Sequence, residues 1–172
     1  VETMKVLEHA GYHFEAADAS LELLMRAAGG WQQDYFELDS FSVEVGHRSG
    51  SGSRAWNEVA VDVETEATVR ISVGGDMREA TGTGNGPVNA LDAALREALG
   101  NSTPGLGRLH LTDFKVRVLE TSKGTGAVTR VLIDTTNGDQ TWTTIGVSEN
   151  IIEASWQALV DSIVYGLLHS ED

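Results

Sequence analysis

One glycine-rich stretch of the sequence, GTGNGPVNAL, has the residue types and spacing of an anion-binding helix end. Gly84 and Gly86 lack side chains, so the backbone at these positions can approach a ligand closely. Pro87 suits the first position of a helix, and the free N–H groups of Val88 and Asn89 would then point outward. Because such groups attract negative charge, the stretch predicts a site for a carboxylate or a phosphate.

Two familiar glycine motifs do not fit this stretch. Pro87 stands where the dinucleotide fingerprint G-x-G-x-x-G requires its last glycine. The stretch is not followed by a Lys-Ser or Lys-Thr pair, which excludes a P-loop. Two interpretations remain: an anion site, or a strand-to-helix turn that holds no ligand.

A second predicted helix start, GVSENII, has different chemistry. Ser148 is the expected N-cap, and Glu149 is expected in the first helical turn. The Glu149 carboxylate would interact there with the helix dipole, or it would bind an ammonium group. One helix end for a carboxylate and another for an amine indicate a free amino acid as ligand.

The sequence contains no recognisable catalytic constellation. His9 and His13 have i,i+4 spacing, but Gly11 interrupts any helix between them, and His47, His110 and His169 lie far apart. The absence of cysteine excludes disulfides and thiolate metal sites. The segment GSGSR does not satisfy the nucleophile motif G-x-S-x-G. We therefore predict no catalytic residue and no metal site in this chain.

Charge and hydropathy limit the class of partner. The 172 residues include 12 basic and 26 acidic side chains, a net charge of −14. Such a surface repels phosphate backbones and anionic lipid, so we expect neither nucleic acid nor a membrane as partner. Apolar runs fall short of the ~20 residues that span a bilayer, and a cytoplasmic location is expected.

An internal repeat dominates the organisation of the chain. FELDSFSVEV aligns with LHLTDFKVRV, ATVRIS (67–72) aligns with AVTRVL (127–132), and ATGTGNGPVNALDAAL aligns with TIGVSENIIEASWQAL. Each half predicts three alternating strands and one amphipathic helix. We therefore predict an α+β fold of two βββα units, about 36–99 and 109–168, related by pseudo-twofold symmetry, with an antiparallel sheet and helices on one face.

Local signals refine this organisation. Residues 1–30 form a predicted helical connector, whose second helix would be capped by Asp18 or Ser20 and would end at Gly29 and Gly30. The rest, 31–172, is the predicted main domain. The first strand is expected to slip near Asp39, and the Gly/Ser-rich residues 46–54 are expected to form a mobile hairpin loop.

Four segments resemble the C-terminal regulatory domain of the α-isopropylmalate synthase and citramalate synthase family. They are GTGNGPVNALDAAL, LTDFKVRVL, GTGAVTRVLI and WTTIGVSENIIEASWQALVDSI, in this order. The resemblance covers about residues 30–168. The leading segment LEHAGYHFEAADASLELLMR resembles the connector that precedes this domain, and it favours the citramalate synthase branch.

The resemblance implies a regulatory role. Family members carry an upstream catalytic β/α barrel that condenses acetyl-CoA with a 2-oxo acid on a divalent metal. This chain lacks that barrel, so we expect it to be catalytically inert and to hold no cofactor itself. Its implied partners are a second copy, the upstream barrel and a branched-chain amino acid effector, leucine or isoleucine, which is the pathway end product and inhibits by feedback.

The resemblance also implies a binding site for that effector. The polar end of the amino acid would lie against the glycine loop and helix start, at Gly84, Gly86, Val88 and Asn89. The apolar lining would come from the second repeat, from Leu111, Phe114, Val118, Val128 and Ile151. An alternative is a dimerisation module that binds no effector, and a third reading is a free-standing enzyme.

Overall fold

The computed structural model describes residues 2–48, 62–100, 103–119, 124 and 126–170. It divides into two compact units. The first-repeat unit is Phe36–Gly100, and the second-repeat unit combines Val1–Tyr35 with Asn101–Asp172. The connector is thus part of the same compact unit as the second repeat.

The first-repeat unit is a three-stranded antiparallel sheet with one helix. Its strands are β1 (Glu37–Arg48), β2 (Asp62–Val73) and β3 (Asp76–Gly84), in the order β1-β2-β3. Helix α3 (Pro87–Leu99) packs on β2 and β3. The side chains between sheet and helix are fully buried, among them Val69, Ile71, Leu91, Leu95 and Leu99.

The second-repeat unit contains the same βββα arrangement. Strands β4 (His110–Val118), β5 (Thr129–Thr136) and β6 (Thr141–Ser148) pair antiparallel in the order β4-β5-β6. Helix α4 (Ile151–Leu168) packs on β5 and β6 over a core that includes Val131, Ile133, Leu159 and Ile163. The predicted α+β class and the two βββα units are confirmed.

The first strands of the two repeats, β1 and β4, share the irregularity that the sequence predicts for β1. The register of β1 on β2 shifts between Leu38 and Ser40. The register of β4 on β5 shifts between Leu111 and Asp113. The shift returns Phe41 to the helix-facing side, so the predicted slip near Asp39 is confirmed.

The structure matches the residues of β2 with those of β5 in a different register from the one that the sequence alignment predicts. Val43 lies opposite Ala67, and Val116 lies opposite Val131. Ala67 therefore corresponds to Val131, and the alignment of Ala67 with Ala127 was wrong by four residues. Local similarity between ATVRIS and AVTRVL misled the comparison, because pairing with both neighbouring strands determines register.

A repeated glycine lets each helix approach its sheet closely. A Cβ on Gly82 would lie 2.7 Å from the Ala90 carbonyl oxygen. A Cβ on Gly146 would contact the Ala154 carbonyl and would lie 3.0 Å from the Ala158 nitrogen. The glycine shared by the two repeats is thus a packing requirement.

The predicted loop at residues 46–54 lies partly in a strand. Gly46 pairs with Glu64, so β1 continues through Arg48 and this part of the loop prediction was wrong. Residues 49–54 lie outside the described residues.

The connector contains the two predicted helices, α1 (Glu2–His9) and α2 (Asp18–Ala28). Helix α2 ends at Gly29, and Gly30 has a positive φ of 91°. The predicted cap was wrong, because Ala17 is the N-cap and no side chain caps it.

The side chains expected to cap α2 bind the edge of β6 instead. The Thr143 amide donates to Asp18 Oδ1 at 3.3 Å, and the Ile145 amide donates to Ser20 Oγ at 3.0 Å. Val147 lies two residues further along the same edge of β6, and its amide donates to Gln157 Oε1 of α4 at 3.1 Å. Helix α2 thereby protects an edge strand whose N–H groups would otherwise be open to pairing.

A buried carboxyl joins α2 to α4. Ser20 Oγ donates to Asp161 Oδ2 at 2.6 Å. Burial raises the pKa of Asp161 to about 6, against the opposing effect of the hydrogen bond from Ser20. An acid with a raised pKa binds more protons in the folded state, so its contribution to stability falls as pH rises from about 4 to 6.

We expect Asp161→Asn to abolish this pH dependence. The amide keeps an acceptor for Ser20 Oγ but carries no charge to desolvate. At pH 7 the free energy of unfolding of the variant should exceed that of the parent by an amount on the order of 2–3 kcal/mol, with a correspondingly higher melting temperature, and the difference should vanish near pH 4. Thermal melts of both proteins across this range test the prediction. A constant difference would show that Asp161 does not titrate in this window.

One described helix, α4, is long and apolar enough by length and composition to cross a membrane, and 56% of it is buried inside the protein. Its contacts with β5 and β6 are those of a core helix.

Candidate functional site

The start of α3 has no side-chain cap among the described residues. Gly86 is the N-cap in extended conformation (φ −170°, ψ 176°), and its carbonyl accepts from the Ala90 amide at 3.0 Å. A Cβ on Gly86 would have no atom within 4 Å. The helix start therefore offers open space beside the first-turn N–H groups, which carry the positive end of the helix dipole.

Gly84 has a packing role that the sequence did not reveal. A Cβ on this residue would contact Asn89 Oδ1 and would lie 2.7 Å from the Ala90 nitrogen. The Asn85 amide donates to the same Asn89 oxygen at 3.3 Å. Gly84 thus allows β3 to turn directly onto α3, and the side chain of the exposed Asn89 folds back over the loop.

The start of α4 differs, because a side chain fills it. Asn150 is the N-cap, and its Oδ1 accepts from the amides of Ile152 at 2.8 Å and Glu153 at 3.3 Å. The prediction that Ser148 caps this helix was wrong, since Ser148 Oγ accepts from the Asn150 amide. Glu149 precedes the helix, and the first-turn acid is Glu153.

The predicted apolar lining divides between the two faces of the second sheet. Phe114 and Val118 lie on the face of the sheet that α4 packs against, but on the edge strand β4, outside the main contacts of α4, so they are 42% and 49% exposed. Ile151, the first residue of α4, is 44% exposed. Val128 lies on the opposite face and packs with Phe14 and Val147.

The predicted site residues fall in both units. Gly84, Gly86, Val88 and Asn89 belong to the first-repeat unit, where Val88 is half-buried and Asn89 exposed. Leu111, Phe114, Val118, Val128 and Ile151 belong to the second-repeat unit. Within that unit, Leu111, Phe114 and Val118 share one face of β4, and Val128 is separated from them by the sheet.

Two features of the second-repeat unit escaped the sequence analysis. The exposed apolar stripe of β4 also includes Val116, which is 42% exposed. The connector covers the other face, where Phe14 and Ala17 pack on Ile145 and Val147. The alternation of apolar and polar residues along β4 indicates the stripe, whereas no local sequence pattern indicates where the connector packs.

Metal-ligating side chains do not cluster in the described part of the chain: it contains no group of three His, Cys, Asp or Glu residues placed to hold an ion. The chemistry that the geometry offers is binding, at an uncapped helix start and at exposed apolar strands.

Comparison with known proteins identifies the family. Residues 15–167 match the LeuA allosteric (dimerisation) domain. The chain is 48% identical to (R)-citramalate synthase of Aquifex aeolicus (strain VF5), over 100% of this chain and 31% of that protein. It is 50% identical to (R)-citramalate synthase of Streptomyces coelicolor, over 99% of this chain and 30% of that protein.

A more distant relative is the 2-isopropylmalate synthase of Aquifex aeolicus, 31% identical over 61% of this chain and 19% of that protein. The chain belongs to the LeuA allosteric (dimerisation) domain family, as the sequence resemblance predicted. It spans about 30% of the length of the citramalate synthases that it matches.

Proposed function

We propose that this chain is the regulatory domain of a citramalate or isopropylmalate synthase and binds a branched-chain amino acid, leucine or isoleucine, for feedback inhibition. The family and the similarity to citramalate synthases support the proposal. Under this proposal, the parent protein is a cytoplasmic acetyl-CoA-dependent transferase. Acetyl-CoA, the divalent metal and catalysis belong to the upstream barrel, and this chain is catalytically inert.

The observation that carries effector binding is the difference between the two helix starts. Gly86 and Asn150 occupy corresponding positions of the repeat, and both are N-caps. The Asn150 side chain satisfies the first-turn amides of α4, while Gly86 leaves those of α3 without a side-chain acceptor. A helix start that lacks its own acceptor is suited to an external carboxylate.

The carboxylate of the amino acid would bind the amides of Val88 and Asn89 at this helix start. The side chain of the exposed Asn89 would add a polar contact, and Gly86 would leave room for the carboxylate group. The branched side chain would require apolar surface, a role that the family resemblance assigns to Leu111, Phe114, Val118 and Ile151. Val128 contributes less directly, because it packs on the opposite face of its sheet.

Calorimetric titration of the chain with leucine, isoleucine and valine tests the proposal. Saturable binding of one of them would support it and would name the effector. D-Isomers of the same amino acids are the matched control, because they carry identical charges and apolar groups in the wrong arrangement.

The alternative function is a dimerisation module that binds no amino acid. The exposed apolar stripe of β4 supports assembly in either case, because exposed edge strands with large apolar side chains mark interaction surfaces. A titration without heat for all three amino acids, with dimer formation intact, would favour this alternative.

We expect the chain to form a dimer that Val116→Glu dissociates. Val116 lies at the middle of the exposed stripe of β4, and a carboxylate there would be desolvated on association. Sedimentation at micromolar concentration should give a dimer for the parent and a monomer for the variant. Thr83→Glu, a like charge on an exposed residue of β3, is the control and should remain dimeric. A monomeric parent, or a dimeric Val116→Glu, would contradict the prediction.

A further inference from the structure

Two arginines lie directly opposite each other on the second sheet. Arg117 of β4 pairs in register with Arg130 of β5, on the face turned away from α4. Like charges at directly opposed positions of an antiparallel pair are destabilising. Burial lowers the pKa of Arg130, and the nearby Arg117 guanidinium lowers that pKa further.

Within the described residues, no carboxylate is paired with either of these two guanidinium groups. Arg130 Nε donates to the Gly11 carbonyl, a neutral acceptor, at 2.7 Å. Arg117 makes no hydrogen bond or ion pair in the described part of the structure. The neighbouring cation, Lys115, is already paired with Asp113 at 2.7 Å and with Asp134 at 3.4 Å.

The Gly11 carbonyl holds Arg130 in a defined position. Gly11 has a φ of +109°, and a Cβ on it would lie 2.6 Å from Leu119 Cδ1 and 3.3 Å from Val147 Cγ1. The backbone turn is therefore restricted to glycine by conformation and by space. With Nε engaged, the terminal nitrogens of Arg130 are the donors left for a ligand.

A cavity of about 660 Å³ lies at this pair of arginines. Its walls include Arg117, Arg130, Leu132 and Ala16, with His13 and Glu15 also lining it. Glu15 is the one carboxylate among the described lining residues, and it is 93% exposed and 3.7 Å from His13 Nε2. The cavity thus combines an apolar wall with three cationic side chains, of which Lys115 is the one paired with carboxylates, and it has the volume of a small-molecule site.

The corresponding positions of the first repeat carry the opposite charge. Glu44 lies opposite Glu66 there, in the register that Arg117 and Arg130 occupy in the second repeat. The arginine pair is therefore not a requirement of the βββα unit. The arginine pair brings together 2 of the 12 basic residues of a chain that has 26 acidic residues.

We propose that this cavity binds a small organic dianion, a metabolite with a phosphate group or two carboxylates bridging Arg117 and Arg130. The anion would relieve the repulsion between the two guanidinium groups by charge-assisted hydrogen bonds. Leu132 and Ala16 would contact its organic part. None of the residues that line this cavity belongs to the helix start proposed for the amino acid effector.

Titration calorimetry with pyrophosphate, inorganic phosphate and succinate at about 20 mM salt tests the proposal. We expect saturable binding of at least one dianion, weakened about tenfold or more by Arg117→Gln. Arg70→Gln is the matched control: it removes one positive charge from the first sheet, where Arg70 pairs with Asp39 at 3.5 Å. This variant should bind within about twofold of the parent.

Thermal melting without anion gives a second readout. Arg117→Gln removes a like-charge contact, so it should melt at or above the temperature of the parent, and pyrophosphate should stabilise it less. Preference for the phosphates or for succinate identifies the head group, and either result supports the site. No saturation below about 10 mM for any probe, or equal weakening by Arg117→Gln and Arg70→Gln, would overturn the proposal. These measurements use no branched-chain amino acid. The proposal of an anion site and the proposal of an effector site can therefore be contradicted independently of each other.

Discussion

Gly86→Asp is expected to abolish amino acid binding while the domain stays folded. The new carboxylate would occupy the open space beside the α3 helix start and accept the amides that the effector needs. It would also repel the effector's own carboxylate. At ~4 Å and an effective dielectric near 20, that repulsion is on the order of 4 kcal/mol, about a thousandfold in affinity.

The fold should tolerate this substitution. The φ of −170° at Gly86 is extended backbone that aspartate adopts readily, and aspartate is a favourable N-cap. Titration and thermal melting of the variant beside the parent measure both effects. Gly107→Asp is the matched control, since Gly107 is exposed and a Cβ there would have no atom within 4 Å. Unchanged affinity in Gly86→Asp would show that this loop does not hold the effector.

Gly146→Val is expected to produce the largest loss of stability. A Cβ at this position would collide with the Ala154 carbonyl and would lie 3.0 Å from the Ala158 nitrogen. These are backbone atoms of α4, so no side chain can rotate away to make room. The helix would have to leave the sheet, opening the core and straining the bond from Thr144 Oγ1 to the Ala158 carbonyl, now 2.7 Å. We expect a loss of roughly 3 kcal/mol or more.

Denaturant unfolding of Gly146→Val against the parent measures this loss. Gly107→Val is the matched control, because it adds the same side chain to an exposed glycine whose Cβ would have no atom within 4 Å, and its stability should stay within about 1 kcal/mol of the parent. A similarly small change for Gly146→Val would mean that α4 packs farther from β6 than the structure places it.

The candidate sites were accessible to sequence reasoning to different degrees. The uncapped start of α3 is a local feature. The segment GNGP predicts it, because glycine and proline determine the conformation of their own backbone. The division of the apolar residues between two faces was not accessible, since the sequence places Val128 in an apolar segment without specifying its face. The arginine pair was also missed, because Arg117 and Arg130 meet only through the register of β4 on β5.

Local chemistry also predicted helix caps that the structure assigns to other residues. The residue types of Asp18, Ser20 and Ser148 are those that commonly form N-caps. Asp18 and Ser20 instead accept from the edge amides of β6, and Asn150 takes the cap that Ser148 was expected to form. A short polar side chain can accept from any nearby amide, and the competing amides of β6 lie about 125 residues away in the sequence.

The sequence by itself determined the class and repeat of the fold and the family of the protein. Alternating apolar residues, glycine turns and helical stripes act over a few residues, so the six strands and four α-helices of the described residues and the slip near Asp39 were predictable. Tertiary structure alone decided the four-residue correction of the middle strand, the position of the connector along β6, and the meeting of Arg117 with Arg130. These depend on strand register and long-range packing, in which residues far apart in the chain compete for the same hydrogen-bonding partners and the same buried space.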